Sequence, residues 1–284
     1  MAERANGETS DDTGHSAGPD VGTRYSADEI HENILQAAEE EMDRPAGELC
    51  LSGLAAGLGM GFSFLAVAVA SSMLPTQQRP LANALAYPLG FIFVVLARHQ
   101  LFTENTLEPV IPLLERRTGR ALEKLMRLWA IVLVANLAGA SLFALAVART
   151  RLLEPNAAGQ LMDVARVATS GGALAVFYKA IWAGWLVALM AWLLASTRDT
   201  TAQILLVWLT TAPIAALGFK HSIAGAVEAS YRVWTGDIGF FSALTSFELP
   251  ALAGNVVGGV VLVALLNHGQ AGSAGKNEST SPQG

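Results

Sequence analysis

The sequence predicts an all-α integral membrane protein: six transmembrane helices in two inverted three-helix repeats, with broken second and fifth helices. Three observations predict it. First, 52% of the 284 residues are hydrophobic and only 15% charged, with a mean hydropathy of +0.41, whereas soluble domains carry about 25% charged residues. Second, the apolar residues gather in runs free of Asp, Glu, Lys and Arg: Leu49–Gln78, Leu81–Ala97, Leu128–Ala148, Ala180–Thr197, Thr200–Phe219 and Leu249–Gly275. About 20 such residues cross the hydrocarbon core as a helix. Third, an interrupted span is followed twice by a span carrying Asn-x-x-Gly, at Asn136/Gly139 and Asn255/Gly258. Two three-helix halves joined after an odd number of spans must be inverted, and paired broken helices in the two halves mark a transport site.

Taken in order, residues 1–25 are rich in Gly, Ser, Thr and Asp and predict a disordered acidic tail. Residues 26–46 predict an amphipathic cytoplasmic helix. Ser26 is its N-cap, Glu29 stands three residues on, and Ile30, Ile34, Leu35 and Ala38 share one face. Pro45 and Gly47 separate it from a six-helix transport domain over 47–269. Its spans are 49–74, 82–114 with an interruption, 125–149, 171–196, 201–227 with an interruption, and 248–268; residues 270–284 form a polar, disordered tail. The first interruption is Arg98-His99-Gln100-Leu101-Phe102-Thr103-Glu104-Asn105-Thr106 and the second is Gly218-Phe219-Lys220-His221. The repeat pairs Phe102, 34 residues before Asn136, with Phe219, 36 residues before Asn255.

Lys and Arg in short loops set orientation. The 115–127 loop holds Arg116, Arg117, Arg120, Lys124 and Arg127, the 75–80 loop only Arg79, and the 149–170 loop Arg149, Arg151 and Arg166. Placing 115–127 inside the cell puts both termini in the cytoplasm and makes the chain a multi-pass protein of the cell (inner or plasma) membrane. The net charge of −6 comes largely from the first 46 residues, and no basic patch suits a nucleic acid. One cysteine, Cys50, excludes an intramolecular disulfide and a CxxC site. The acidic, polar N-terminal segment does not read as a signal peptide. No metal cluster, nucleophile elbow or phosphate loop predicts an enzyme, a metal or a cofactor.

His221 and Lys220 are the informative residues. An ionisable side chain in a bilayer costs several kcal/mol unless it faces protein or water, and a glycine-flanked break there predicts backbone lining a cavity. His221 titrates near neutral pH and offers a hydrogen bond or a proton; the alternative is a histidine packed between helices. Lys220 draws anions inward, or snorkels to the interface, or pairs with Glu104 across the two breaks. Glu104 guards a mouth or supplies a helix-start carboxylate. Lys179 reads as interfacial or interhelical, and Arg98 and His99 border the first break. Asn136 and Asn255, polar groups in apolar helices, predict hydrogen bonds to the exposed backbone of the breaks.

Three segments resemble the formate/nitrite transporter family: Leu101-Phe102-Thr103-x-Asn105-Thr106, Gly218-Phe219-x-His221-Ser222-Ile223-Ala224, and Gly254-Asn255-Val256-Val257-Gly258-Gly259. Trp185-Leu186-Val187-Ala188-Leu189 is similar to a fourth-helix segment of that family. The wording Thr103-Glu104-Asn105-Thr106 looks like its YfdC-like branch. The resemblance covers residues 26–268. It implies an aquaporin-like homopentamer with one pore per subunit, passing small monovalent anions such as formate, nitrite or hydrosulfide, often with a proton. It implies that His221 is the central pore histidine, that Leu101, Phe102 and Thr103 gate the cytoplasmic side, and that Phe91, Tyr87 and Ile214 constrict the pore. The chain departs from the family at four places. Lys220 stands for an acidic residue, Ala168 for a lysine on the extracytoplasmic approach, Gly184 for an asparagine in the fourth helix, and Gly225 for the asparagine after Ser-x-Ala. Competing readings are a neutral-solute pore, a membrane enzyme, and a non-conducting or regulatory protein on the same fold.

Overall fold

A computed structural model describes residues 25–150 and 152–277, and beyond Leu262 only the side chain of Leu265. The predicted tail over 1–25, apart from Tyr25, lies outside the described residues, as do Arg151 and residues 278–284.

All regular secondary structure among the described residues is helical. Helix α1 (Ala27–Asp43) opens on a capping box: Ser26 accepts from the Glu29 amide while Glu29 accepts from the Ser26 amide. It buries Ile34, Ala38 and Met42. Helices α2 (Ala46–Met73), α3 (Arg79–Ala86) and α4 (Pro88–Leu96) follow. A non-helical stretch, a 3-10 turn (Glu104–Thr106) and the short α5 (Val110–Arg116) then lead to α6 (Gly119–Arg149) and α7 (Pro155–Ala168). Next come α8 (Ala173–Leu194), α9 (Thr200–Ala216) and α10 (Ser222–Trp234). Last are α11 (Phe240–Ala243), a π-helical turn (Leu244–Glu248) and α12 (Leu249–Asn277).

Among the described residues, five stretches are long and apolar enough to cross a membrane: Ala46–Met73, Thr76–Leu96, Gly119–Arg149, Ala173–Leu194 and Phe240–Leu262. In the fifth predicted span, 201–227, the helix is the shorter apolar Thr200–Ala216. It stops early because Gly218 turns left-handed (φ +65°), which lets the Phe219 and Gly218 amides reach back to the Ile214 and Ala215 carbonyls. The last helix runs through Asn277, past the predicted boundary at 269.

Two helix pairs carry the packing, α2 against α6 and α8 against α12, and glycine sets their closeness. A Cβ at Gly57 would sit 2.8 Å from the Ala140 nitrogen, and one at Gly184 2.6 Å from the Asn255 Cα. Lipid offers helices no hydrophobic drive to associate, so such close backbone approach supplies the contact energy. Large apolar side chains including Leu51, Val134, Trp182, Leu209 and Phe241 point outward, as lipid or a neighbouring subunit requires. Helix α1 lies across the end of the molecule that holds the basic loop. His31 Nε2 meets Glu115 at 2.7 Å, Arg116 pairs with Glu39, Lys124 pairs with Asp43, and Arg127 donates to the Arg44 carbonyl.

Candidate functional site

Both breaks are built alike. Helix α4 ends as α9 does: Arg98 turns left-handed (φ +53°) and the His99 and Arg98 amides return to the Val94 and Val95 carbonyls. The chain then runs on without helical bonds, and an asparagine takes their place. Asn136 Oδ1 accepts from the Phe102 amide (2.9 Å), while its Nδ2 donates to the Gln100 and Gly53 carbonyls (2.8 Å each). Asn255 Oδ1 accepts from the Ser222 amide (2.8 Å), while its Nδ2 donates to the Lys220 (2.9 Å) and Ala180 (2.8 Å) carbonyls. Each asparagine satisfies both polar sides of one exposed peptide segment and ties it to α2 or α8. Phe102 therefore corresponds to Ser222, not to Phe219 as the spacing of the two phenylalanines suggests. The bonded pairs lie 34 and 33 residues apart.

The two breaks meet at Thr103 and His221. Thr103 Oγ1 and His221 Nε2 are 2.8 Å apart, with the side chains 0% and 2% exposed. His221 is also the N-cap of α10, where its Nδ1 accepts from the Ala224 amide at 3.1 Å. A backbone N–H only donates, so Nδ1 carries no proton and Nε2 carries it, donating to Thr103. The ring's edge rests on Phe91 with centroids 4.9 Å apart, and Phe91 rests on Tyr87.

A cavity of about 330 Å³ leads from the surface to this point. Its mouth is at Thr76, Pro80 and the exposed Asp163, and its inner wall includes Tyr87, Ile214, Phe219, Lys220 and His221. Leu101 and Phe102 are buried beyond it, with Phe102 edge-on to Trp129. Phe219 stacks on Trp182.

The Lys220–Glu104 pair is not formed. The Lys220 ammonium turns toward the mouth and donates to the Val167 (3.1 Å) and Ala168 (2.6 Å) carbonyls at the end of α7. The negative end of a helix dipole is a favourable seat for a cation. Lys220 thus delivers its charge beside Ala168, the position where the family resemblance puts a lysine. Glu104 keeps Oε1 buried without a partner and caps no helix. Lys179 is exposed on α8, its Nζ 3.9 Å from where a Cβ at Gly218 would lie.

Two departures from the family have steric causes. A side chain at 184 has no room against the Asn255 backbone, and Gly225 is covered by the ring of Phe247, which the π turn brings over it. One buried acid on the cavity wall escaped sequence reasoning. Ending the fifth span at 227 left Glu228 outside, whereas it lies mid-helix in α10 and is 4% exposed. The signal was available: His221, Gly225 and Glu228 fall at i, i+4 and i+7, one face of a helix.

Outside the cavity wall, Asp237 ties α7 to α10, accepting from Arg166 of α7 (Nε, 3.0 Å) and from Arg232 of α10 (Nε, 2.7 Å). The bond from Arg166, then that from Arg232, brings the Asp237 carboxyl down to about 2. Its stabilisation is therefore complete above the ordinary carboxylate value of about 4 and fades as pH falls toward 2. We expect Asp237→Asn to lower the thermal midpoint of detergent-solubilised protein at neutral pH. The gap to wild type should close on acidification, which a pH series of melting curves measures.

Residues 28–269 match the family model described as formate/nitrite transporter. The chain is 35% identical over 242 residues to inner membrane protein YfdC of Escherichia coli (strain K12), covering 85% of this chain and 77% of that protein. Among solved structures it is similar to a pentameric formate channel with formate bound (TM-score 0.66, 24% identity, 82% of this chain and 97% of that one). It is also similar to an FNT family ion channel (TM-score 0.72, 22% identity, 86% and 98%).

Proposed function

We propose that this chain, which belongs to the formate/nitrite transporter family, passes small monovalent anions of weak acids, of the formate, nitrite and hydrosulfide class, together with a proton. The observation that carries the reading is the junction of Thr103 and His221 at the inner end of a surface cavity. A small anion entering an apolar constriction sheds its hydration shell at high cost; the neutral acid sheds far less. His221 supplies a fixed Nε2–H that exchanges Thr103 for the passing solute. Adding a proton at Nδ1 would remove the cap on Ala224 and set a cation at a helix N-terminus, so His221 acts here as a neutral donor.

The finer architecture belongs to the same reading. Two inverted three-helix halves are supported by the matching asparagine triads and by the matching Schellman-type stops at Arg98 and Gly218. A homopentamer in the cell membrane is supported by the outward apolar surface and by the pentameric channel of similar fold. Cytoplasmic termini are supported by the basic end on which α1 lies. Leu101, Phe102 and Thr103 form the cytoplasmic gate; Phe91, Tyr87 and Ile214 form the constriction. A second reading, a non-conducting protein on this fold, draws on the cavity's ending at His221.

Flux in proteoliposomes separates the two. Formate, nitrite, hydrosulfide, acetate and chloride are offered at two pH values. We expect at least one of the first three to move, faster at the lower pH, with chloride excluded. No flux from a folded oligomer would establish the non-conducting reading.

A further inference from the structure

The cavity contains one acid that the constriction does not use. Glu228 lies on its wall, two turns beyond His221 on the same face of α10. The residue is 4% exposed and its Oε2 has no hydrogen-bond partner. A buried carboxylate without donors is costly, and the neutral acid is the cheaper form. A neutral carboxyl has an O–H that needs an acceptor, and an anion in the cavity is one.

The surroundings fit this role. Lys220, just ahead of the N-cap of the same helix, keeps two of its three ammonium donors on the Val167 and Ala168 carbonyls and faces the same cavity. Arg79 of α3 and Asp163 of α7 line the outer part, and Tyr87 and His221 line the inner part. Helix α2 contributes Val67 and Ser71, and the π turn Phe247; none of the lining residues comes from α6 or α12. Glu248 of the π turn is buried, with its Oε1 also unpartnered, but it is not part of the cavity wall. Arg232, further along α10, and Asp237, just after that helix, are engaged with each other. Among the described residues, Glu228 is thus the only acid on the buried part of the wall, and His221 has both ring nitrogens occupied.

We propose that Glu228 is the group that protonates the substrate, an inference that rests on the anion-pore reading. A weak-acid anion enters toward the Lys220 ammonium. The Glu228 O–H bond breaks and an O–H (for hydrosulfide, S–H) bond forms on the anion. The neutral acid moves past His221, accepting its Nε2–H. Glu228 is left as a carboxylate balanced by Lys220, and a proton from water at the mouth restores it. One proton accompanies each anion.

The test is uptake of labelled formate into proteoliposomes with a trapped pH dye, across mildly acidic to mildly alkaline external pH. Wild type is expected to take up one proton per formate, with flux rising on acidification. Glu228→Gln, nearly isosteric, should cut flux about tenfold or more and flatten its pH dependence. Glu228→Asp, which keeps a carboxyl, should retain a pH-dependent flux with a displaced midpoint. Wild-type rate and pH profile in Glu228→Gln would overturn the proposal. Should that variant fail to assemble, an unshifted midpoint in Glu228→Asp does the same. Absence of any anion flux in wild type would instead overturn the anion-pore reading beneath it. Infrared titration of solubilised wild type adds a readout independent of flux: a buried protonated carboxyl at neutral pH is expected, and a carboxylate there contradicts the proposal.

Discussion

Asn255→Leu is expected to collapse the second break, and Asn136→Leu the first. Each asparagine makes three buried hydrogen bonds, two of them to the peptide groups on either side of a non-helical segment. Leucine keeps most of the volume and makes none of these bonds. Interhelical side-chain bonds in bilayers average about 0.6 kcal/mol and reach about 1.7 kcal/mol. Three lost bonds plus backbone groups left unpaired amount to roughly 2–5 kcal/mol per site, a large part of a typical stability. Thermal stability followed by size-exclusion chromatography in detergent should show both variants aggregating well below wild type. A midpoint unchanged in either would mean that its break is held by something other than the asparagine.

Gly184→Val is expected to be at least as damaging, by a different route. Even the first added carbon would lie 2.6 Å from the Asn255 Cα and closer still to its carbonyl. Moving α8 off α12 far enough to admit it would draw Asn255 away from Ser222 and Lys220, so the close packing and the break fail together. Gly57→Val should do the same on the α2–α6 side, where the Asn136 carbonyl and the Ala140 nitrogen stand in the way. Gly159→Ala is the control. It lies within α7 with nothing within 4 Å of a Cβ, and replacing a helical glycine by alanine favours folding by about 0.4–1 kcal/mol. Loss of the monodisperse elution peak in Gly184→Val and Gly57→Val, with its retention in Gly159→Ala, is the expected outcome of the same chromatography.

Much of this architecture was legible because bilayer constraints write long apolar runs into a chain, and because ionisable residues in such runs need a reason. Both breaks, His221 and the two asparagines stood out on those grounds, whereas Thr103 stood out only through the family resemblance. Side-chain direction was not legible. Lys220 and Glu104 could be read as partners across the breaks, yet the Lys220 ammonium is held by the Val167 and Ala168 carbonyls at the end of α7. The phenylalanines at 102 and 219 looked equivalent because aromatic identity is conspicuous. The true equivalence, Phe102 with Ser222, rests on backbone amides, which every residue but proline possesses. Glu228 was hidden by where the fifth span was taken to end: apolar-run counting stops at a charge, whereas the helix continues to Trp234.

The most direct test of the central claim is the ratio of formate to chloride flux through His221→Asn beside wild type. Asparagine is a good N-cap, so α10 and its cap on Ala224 survive, but the shorter side chain does not reach Thr103. If anions pass between Thr103 and His221, the variant assembles normally and its formate-to-chloride ratio falls by about tenfold or more. A well-folded His221→Asn with both rate and ratio unchanged would contradict the account and move the path away from the junction of the two breaks.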